Sequence, residues 1–186
     1  MKVDISGLEK VKELLVKYTD AATRAAAIKI AGRKVANLLR AHFLKKNATP
    51  NKNNFPRSNF WSQIRDATST RADGNGAIVV VADPRFNLHL YGGTVTPKTA
   101  KALTLPITED AYNTPASLIP DLICVTIKGK GYLATEEDGH LSLKYLLVKS
   151  ATIGKDPTAL PPEAEIQQTA LDAYIGYFER IEKGEE

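Results

Sequence analysis

The run Asp73-Gly74-Asn75-Gly76-Ala77-Ile78-Val79-Val80-Val81-Ala82 decides how the fold is read. Asp, Asn and Gly tolerate the positive φ of a tight turn, and the block that follows is β-branched. Residues 78–82 are therefore expected as a strand, with the weaker stretch 68–71 as its hairpin partner. Similar punctuation continues downstream. Gly129–Gly131 turns residues 122–128, with Ile123, Val125 and Ile127 on one face, into residues 132–134. Glu136-Glu137-Asp138-Gly139 then leads into a strand at 143–148. Residues 94–96 and 103–107 are extended and joined by Pro97-Lys98-Thr99-Ala100-Lys101. Before them, a short helical turn opens at Pro84, runs through Leu90 and stops at Gly92-Gly93. Between residues 108 and 120, Asn113, Pro115 and Pro120 act as breakers or turn formers.

Helical spacing dominates on both sides of these strands. Ser6-Gly7-Leu8-Glu9 forms a capping box, and Leu8, Val11, Leu14, Leu15 and Tyr18 follow at helical intervals. Thr19-Asp20 either breaks this helix or is passed through. Residues 21–44 are Ala-rich and form a long helix with Ile28, Ala31, Val35, Leu38, Leu39 and His42 on one face. Lys29, Arg33 and Arg40 lie roughly 120–160° round from that face at 100° per residue. Ile30 falls on the basic side without explanation. Residues 45–58 are an Asn/Lys/Pro loop, and Ser58 can cap a short helix carrying Phe60, Trp61 and Ile64. After a Pro-rich stretch at 156–162, residues 163–183 form a last helix. Leu171, Tyr174, Ile175, Phe178 and Ile181 make its apolar stripe, flanked by Glu165, Asp172 and Glu179. The expected fold is α+β, a mostly antiparallel sheet packed against a long N-terminal helical segment and a C-terminal helix. It is one domain over 1–186, divided into a helical part (1–66), a sheet (67–150), a connector (151–162) and the C-terminal helix (163–184).

With 186 residues, 43% hydrophobic and 25% charged, the chain has the composition of an ordinary globular protein. A single cysteine, Cys124, excludes an intramolecular disulfide framework and a zinc ribbon. No run of 18 apolar residues is present, and the first 20 residues carry Asp4, Glu9, Glu13 and Asp20 without an apolar core, so neither a membrane span nor a secretory signal is expected. The net charge of +4 hides a strong polarity. Between Arg24 and Ala72 eleven Lys/Arg stand against Asp66 alone, a net of +10; between Asp156 and Glu186 eight acids stand against two bases, a net of −6. Two such poles suit self-association, while the plainer reading has them paired internally or solvated.

Chemistry-bearing patterns are sparse. His42, His89 and His140 have no metal-ligand spacing, and none is near the cysteine. His42 reads as a packed or capping residue and His140 as solvated. Cys124, mid-strand in Leu-Ile-Cys-Val-Thr-Ile, reads as a buried inert thiol. There is no GxSxG, Walker loop or GxGxxG. The acids at Glu109-Asp110 and at Glu136-Glu137-Asp138 read as solvated turns. No catalytic, cofactor-binding or metal residue is therefore assigned, and no cofactor is expected. A small hydrolase would need a pocket that joins His89 to an acid. Lys45, Lys46, Lys52 and Arg57, interleaved with Phe55, Phe60 and Trp61, could track a nucleic-acid backbone and stack bases. The spacing of Phe60, Trp61 and Ile64 equally suits a core.

One stretch is more specific. Residues 89–106 read His-Leu-Tyr-Gly-Gly-Thr-Val-Thr-Pro-Lys-Thr-Ala-Lys-Ala-Leu-Thr-Leu-Pro. Together with Phe43, Pro56 and Trp61 upstream, this resembles the virion morphogenesis proteins of tailed bacteriophages, the group of tail-completion and head–tail joining proteins. The resemblance is good over about residues 30–110 and looser to the end. It departs at Pro56-Arg57-Ser58, where the family tends to have Pro-Asp-Gly. It implies a structural protein without a catalytic centre, located at the neck or tail of the virion and in the bacterial host cytoplasm before assembly. Its partners would be other neck, tail or connector proteins and copies of itself in a ring, with no membrane and no small-molecule substrate. The candidate interface residues are Lys29, Arg33, Arg40, Lys45, Lys46, Lys98 and Lys101 on the basic side and Glu165, Asp172 and Glu179 on the acidic side. The alternative is a DNA-binding accessory protein using the basic segment 24–72. Without the family, Tyr91, Leu103 and Leu105 read as core, and Gly92-Gly93 as the turn from helix to strand.

Overall fold

A computed structural model describes residues 15–49, 59–73, 76–112 and 114–184. The capping box at 6–9, the basic-loop residues 50–58, the turn residues Gly74-Asn75 and Asn113 lie outside them. Residues 15–19 are helical, and Thr19-Asp20 is a break. Asp20 accepts hydrogen bonds from the Thr23 backbone N–H (2.7 Å) and hydroxyl (2.9 Å), which caps the next helix. That helix, α1 (Ala21–Ala48), is four residues longer than expected. Lys45 and Lys46 belong to its last turn and not to a loop; cations at that end complement the unpaired carbonyls.

The chain forms two compact units. The first comprises residues 1–43, 64–82 and 160–186; the second comprises 44–63 and 83–159. Each is built from non-consecutive segments, so both α1 and α2 (Phe60–Asp66) run from one unit into the other.

In the first unit, β1 (Thr68–Asp73) and β2 (Gly76–Val81) form the hairpin that the Asp-Gly-Asn-Gly signal predicts, in register from Thr68↔Val81 to Asp73↔Gly76. The expected apolar face of α1 is not its most buried one. The buried residues are Ala27, Gly32, Ala36, Leu39 and Phe43, so from Gly32 onward the covered face is turned by roughly 80° toward small side chains. The reason is close approach: a Cβ at Gly32 would lie 2.7 Å from the Ala77 Cβ on β2. Thr68 is buried and donates its hydroxyl to the Ile64 carbonyl at 2.9 Å. On the last helix, α4 (Glu163–Glu182), Phe178 is buried against Tyr18, Tyr174 and Tyr177, with ring centroids 4.8–5.7 Å apart. The expected stripe on α4 is only partly covered, because Leu171 and Ile175 are 50% and 46% exposed.

In the second unit, α3 (Arg85–Tyr91) leads through Gly92 into β3 (Gly93–Val95). Gly92 has φ +77°, and a Cβ there would meet the Lys155 N at 3.0 Å and the Ile153 O at 3.2 Å. No other residue suits that position. β4 (Leu103–Pro106), β5 (Ile123–Ile127), β6 (Lys130–Glu137) and β7 (His140–Val148) make an antiparallel sheet of order β4-β7-β6-β5. β3 pairs separately with β8 (Ala151–Ile153), a strand inside what the sequence suggests is a connector. The β5–β6 and β6–β7 turns have two residues each, Lys128-Gly129 and Asp138-Gly139, all with positive φ, as type I′ hairpins require. Tyr145 on β7 is buried, and its hydroxyl donates to the Thr114 carbonyl at 2.6 Å. Two expected core residues are in fact exposed: Tyr91 is 72% exposed at the end of α3, and Cys124 lies exposed on β5 because β5 is the outer strand of its sheet. Leu103 and Leu105 are half-buried. The architecture is α+β with antiparallel sheets, a long N-terminal helix and a C-terminal helix.

Candidate interaction surfaces

A group of polar and aromatic side chains gathers in the second unit. The first turn of α2 presents Phe60 and Trp61, and α3 presents Phe86 and His89. The His89 ring centroid is 4.5 Å from Phe60 and 5.3 Å from Trp61, and Trp61 is edge-on to Phe86 at 6.4 Å. The Lys46 ammonium sits 4.7 Å over Trp61. It donates to Asp156 Oδ2 and to Thr158 Oγ1, both at 2.8 Å. The Asp156 backbone N–H in turn donates to the His89 carbonyl at 2.8 Å. Burial pushes the Asp156 carboxyl up, but hydrogen bonds from Lys46 and Thr158 outweigh it and hold the group at about 2. Burial holds the His89 imidazole below its ordinary value; Asp156 opposes this and Lys46 adds to it.

His89 and Asp156 are therefore joined backbone to backbone, not imidazole to carboxylate. Among the described residues, the Asp156 carboxylate is held by Lys46 and Thr158, and no carboxylate accepts a hydrogen bond from the imidazole. Of the aromatics expected to stack bases, Phe60 and Trp61 lie edge-on to each other and tilted against His89. The sequence places Lys46 near Trp61, but Asp156 lies 110 residues away and carries no local signal.

The other proposed interface residues divide into engaged and free-standing groups. Arg40 is engaged in the first unit: its guanidinium donates to the Thr68 carbonyl at 2.6 Å and to Asn37 Oδ1 at 2.9 Å. Lys29 and Arg33 are exposed on α1. Glu165, Asp172 and Glu179 are exposed on α4, where Asp172 accepts from Gln168 at 2.6 Å. Among the described residues no ion pair joins α1 to α4. Lys98 and Lys101 are exposed in the segment between β3 and β4, and Lys45 is exposed on α1.

The acids at Asp110 and Glu137, read separately from the sequence, come together on Lys144. Its ammonium lies 2.6 Å from Asp110 Oδ2 and 3.8 Å from Glu137 Oε1. The Lys144 ammonium holds the Asp110 carboxyl at about 2. These groups line a shallow cavity of about 380 Å³ with Ile119, Pro120 and Asp121. Among the described residues, no three His, Cys, Asp or Glu side chains gather as a metal site, and no helix is long and apolar enough to cross a membrane. Comparison of the chain with family models, with curated proteins and with solved structures finds no match.

Proposed function

We propose that this chain is a structural component of a tailed-phage particle, docking at the neck or tail end by surface complementarity. One observation carries the reading: the first unit bears two exposed faces of opposite charge with no ion pair between them among the described residues. Lys29 and Arg33 stand on α1; Glu165, Asp172 and Glu179 line α4 beside the exposed Leu171 and Ile175. A basic patch on one copy facing an acidic, partly apolar helix on the next is a heterologous contact, which closes into a ring or adds to one. The stretch 89–106 adds the family resemblance and presents Lys98 and Lys101 to a neighbour. The alternative of a DNA-binding segment is weakened because Arg40 and Lys46 make internal hydrogen bonds.

The test is complementation of particles made without the gene, viewed by electron microscopy. The double reversal Lys29→Glu/Arg33→Glu should leave the protein folded and yield separate heads and tails, or tails of wrong length. Adding Asp172→Lys/Glu179→Lys should partly restore joined particles. Normal, infectious particles from the double reversal would remove this contact, and normal particles without the gene would remove the reading altogether.

A further inference from the structure

β5 is an edge strand of the second unit's four-stranded sheet. The strand reads Ile123-Cys124-Val125-Thr126-Ile127, with no charge and no proline. It ends its sheet, and among the described residues no strand pairs with its far side. Ile123 and Ile127 are 41% and 38% exposed, and Cys124 and Thr126 are exposed as well. The opposite edge, β4, is only four residues long and ends in Pro106, the usual means of blunting an edge. β5 has no such device.

The edge is also self-complementary. The two-residue turn Lys128-Gly129 closes on Ile127↔Lys130, and such turns close on a hydrogen-bonded pair. Hydrogen-bonded pairs alternate along an antiparallel ladder, so residues 123, 125 and 127 direct their backbone groups to β6. Residues 124 and 126 direct theirs outward. Two copies of β5 related by a two-fold axis at Val125 then align Cys124 with Thr126 of the other copy twice, forming four backbone hydrogen bonds. Ile123 faces Ile127, Val125 faces Val125, and the β-branched face continues across the junction. No other antiparallel register of matching parity pairs all five residues. Asp121 precedes the strand, and Lys128 and Lys130 follow it. The antiparallel arrangement brings each copy's acid beside the other's lysines, whereas a parallel one would set lysine against lysine.

We propose that β5 is a homodimerisation edge, joining two copies through an antiparallel β5–β5 pair centred on Val125. The contact uses a different surface from the charged faces above and does not depend on the phage reading. One short strand pair predicts a modest interface, with dissociation in roughly the micromolar range.

Sedimentation velocity of the full chain over a concentration series tests this. A monomer–dimer equilibrium is expected. Thr126→Pro removes an outward N–H that bonds nothing within the sheet. It should weaken dimerisation at least about tenfold while far-UV circular dichroism stays unchanged. Register is tested by disulfide trapping under mild oxidation. Thr126→Cys places two thiols opposite Cys124 of the other copy and should give a covalent dimer. Cys124→Ser/Thr126→Cys, which leaves only diagonal thiols, should not. A chain that is monomeric throughout, a dimer untouched by Thr126→Pro, or equal trapping of both cysteine variants would each overturn the proposal.

Discussion

Replacing Lys46 by Met keeps most of the stem beside Trp61 and removes the ammonium that pairs with Asp156. The half-buried carboxylate loses its main partner, and the expected loss is about 1–3 kcal/mol at neutral pH. Trp61, the only tryptophan, reports it directly in urea titrations followed by fluorescence. The pH dependence has a definite sign. Asp156 sits at about 2 in the folded chain against an ordinary 3.8, so its stabilisation is complete above about pH 4 and fades as pH falls toward 2. Because His89 is held below 6.5, the unfolded chain takes up a proton first on acidification, and stability starts to fall below about pH 6.5. The urea midpoint should therefore decline in two steps on acidification. His89→Phe should remove the first step, and Lys46→Met should shrink the second, to which Asp110 on Lys144 also contributes. A wild-type midpoint constant between pH 7.5 and 5 would contradict the account of His89. In the sequence, Lys46 and Trp61 were legible as a basic–aromatic pair, but the acid that fixes the lysine is distant in the chain and has no local signal. Cys124 misled for a similar reason: an apolar strand reads as buried, while its place at the edge of a sheet is decided by pairings elsewhere.

Among the elements, α1 and the hairpin it covers depend on Gly32. Gly32→Ala gains up to about 1 kcal/mol of helix propensity. Its new methyl would sit 2.7 Å from the Ala77 Cβ, on a backbone-anchored atom that cannot swing aside. The overlap is the larger effect, and a net loss of about 1–2 kcal/mol is expected, read as a fall in thermal midpoint. An unchanged or raised midpoint would mean that the helix simply shifts outward. Gly92→Ala combines a positive φ with close backbone neighbours and should also cost about 1–3 kcal/mol. The strands were largely legible, because two-residue turns and β-branched runs are local signals. β1–β2, β5–β6 and β6–β7 follow the turns that announce them. β8 was hidden in a prolyl connector because its partner is β3, 58 residues away in the Gly93↔Ile153-to-Val95↔Ala151 ladder. The buried face of α1 is not legible in the pattern of Ile, Val and Leu, because it is a Gly/Ala face where closeness rather than bulk does the packing.

For the whole molecule, the consequential feature is how the segments alternate. The chain changes unit at four places, after Phe43, Gln63, Ala82 and Ala159. The second unit has all its segments by Ala159, whereas the first needs α4, whose Phe178 lies against Tyr18. A chain ended at Ala159 should therefore lose amide protection over residues 21–43 and 68–73 while keeping it over β5–β7, as hydrogen-exchange mass spectrometry would show. Uniform loss would mean that the second unit cannot stand without the first. The same alternation sets an order of events on the ribosome. α1 emerges early but belongs to the unit finished last, since α4 must clear the exit tunnel before Phe178 can reach Tyr18. During translation the later-encoded second unit has all its segments first, and Tyr18 waits without the ring of Phe178 until α4 arrives.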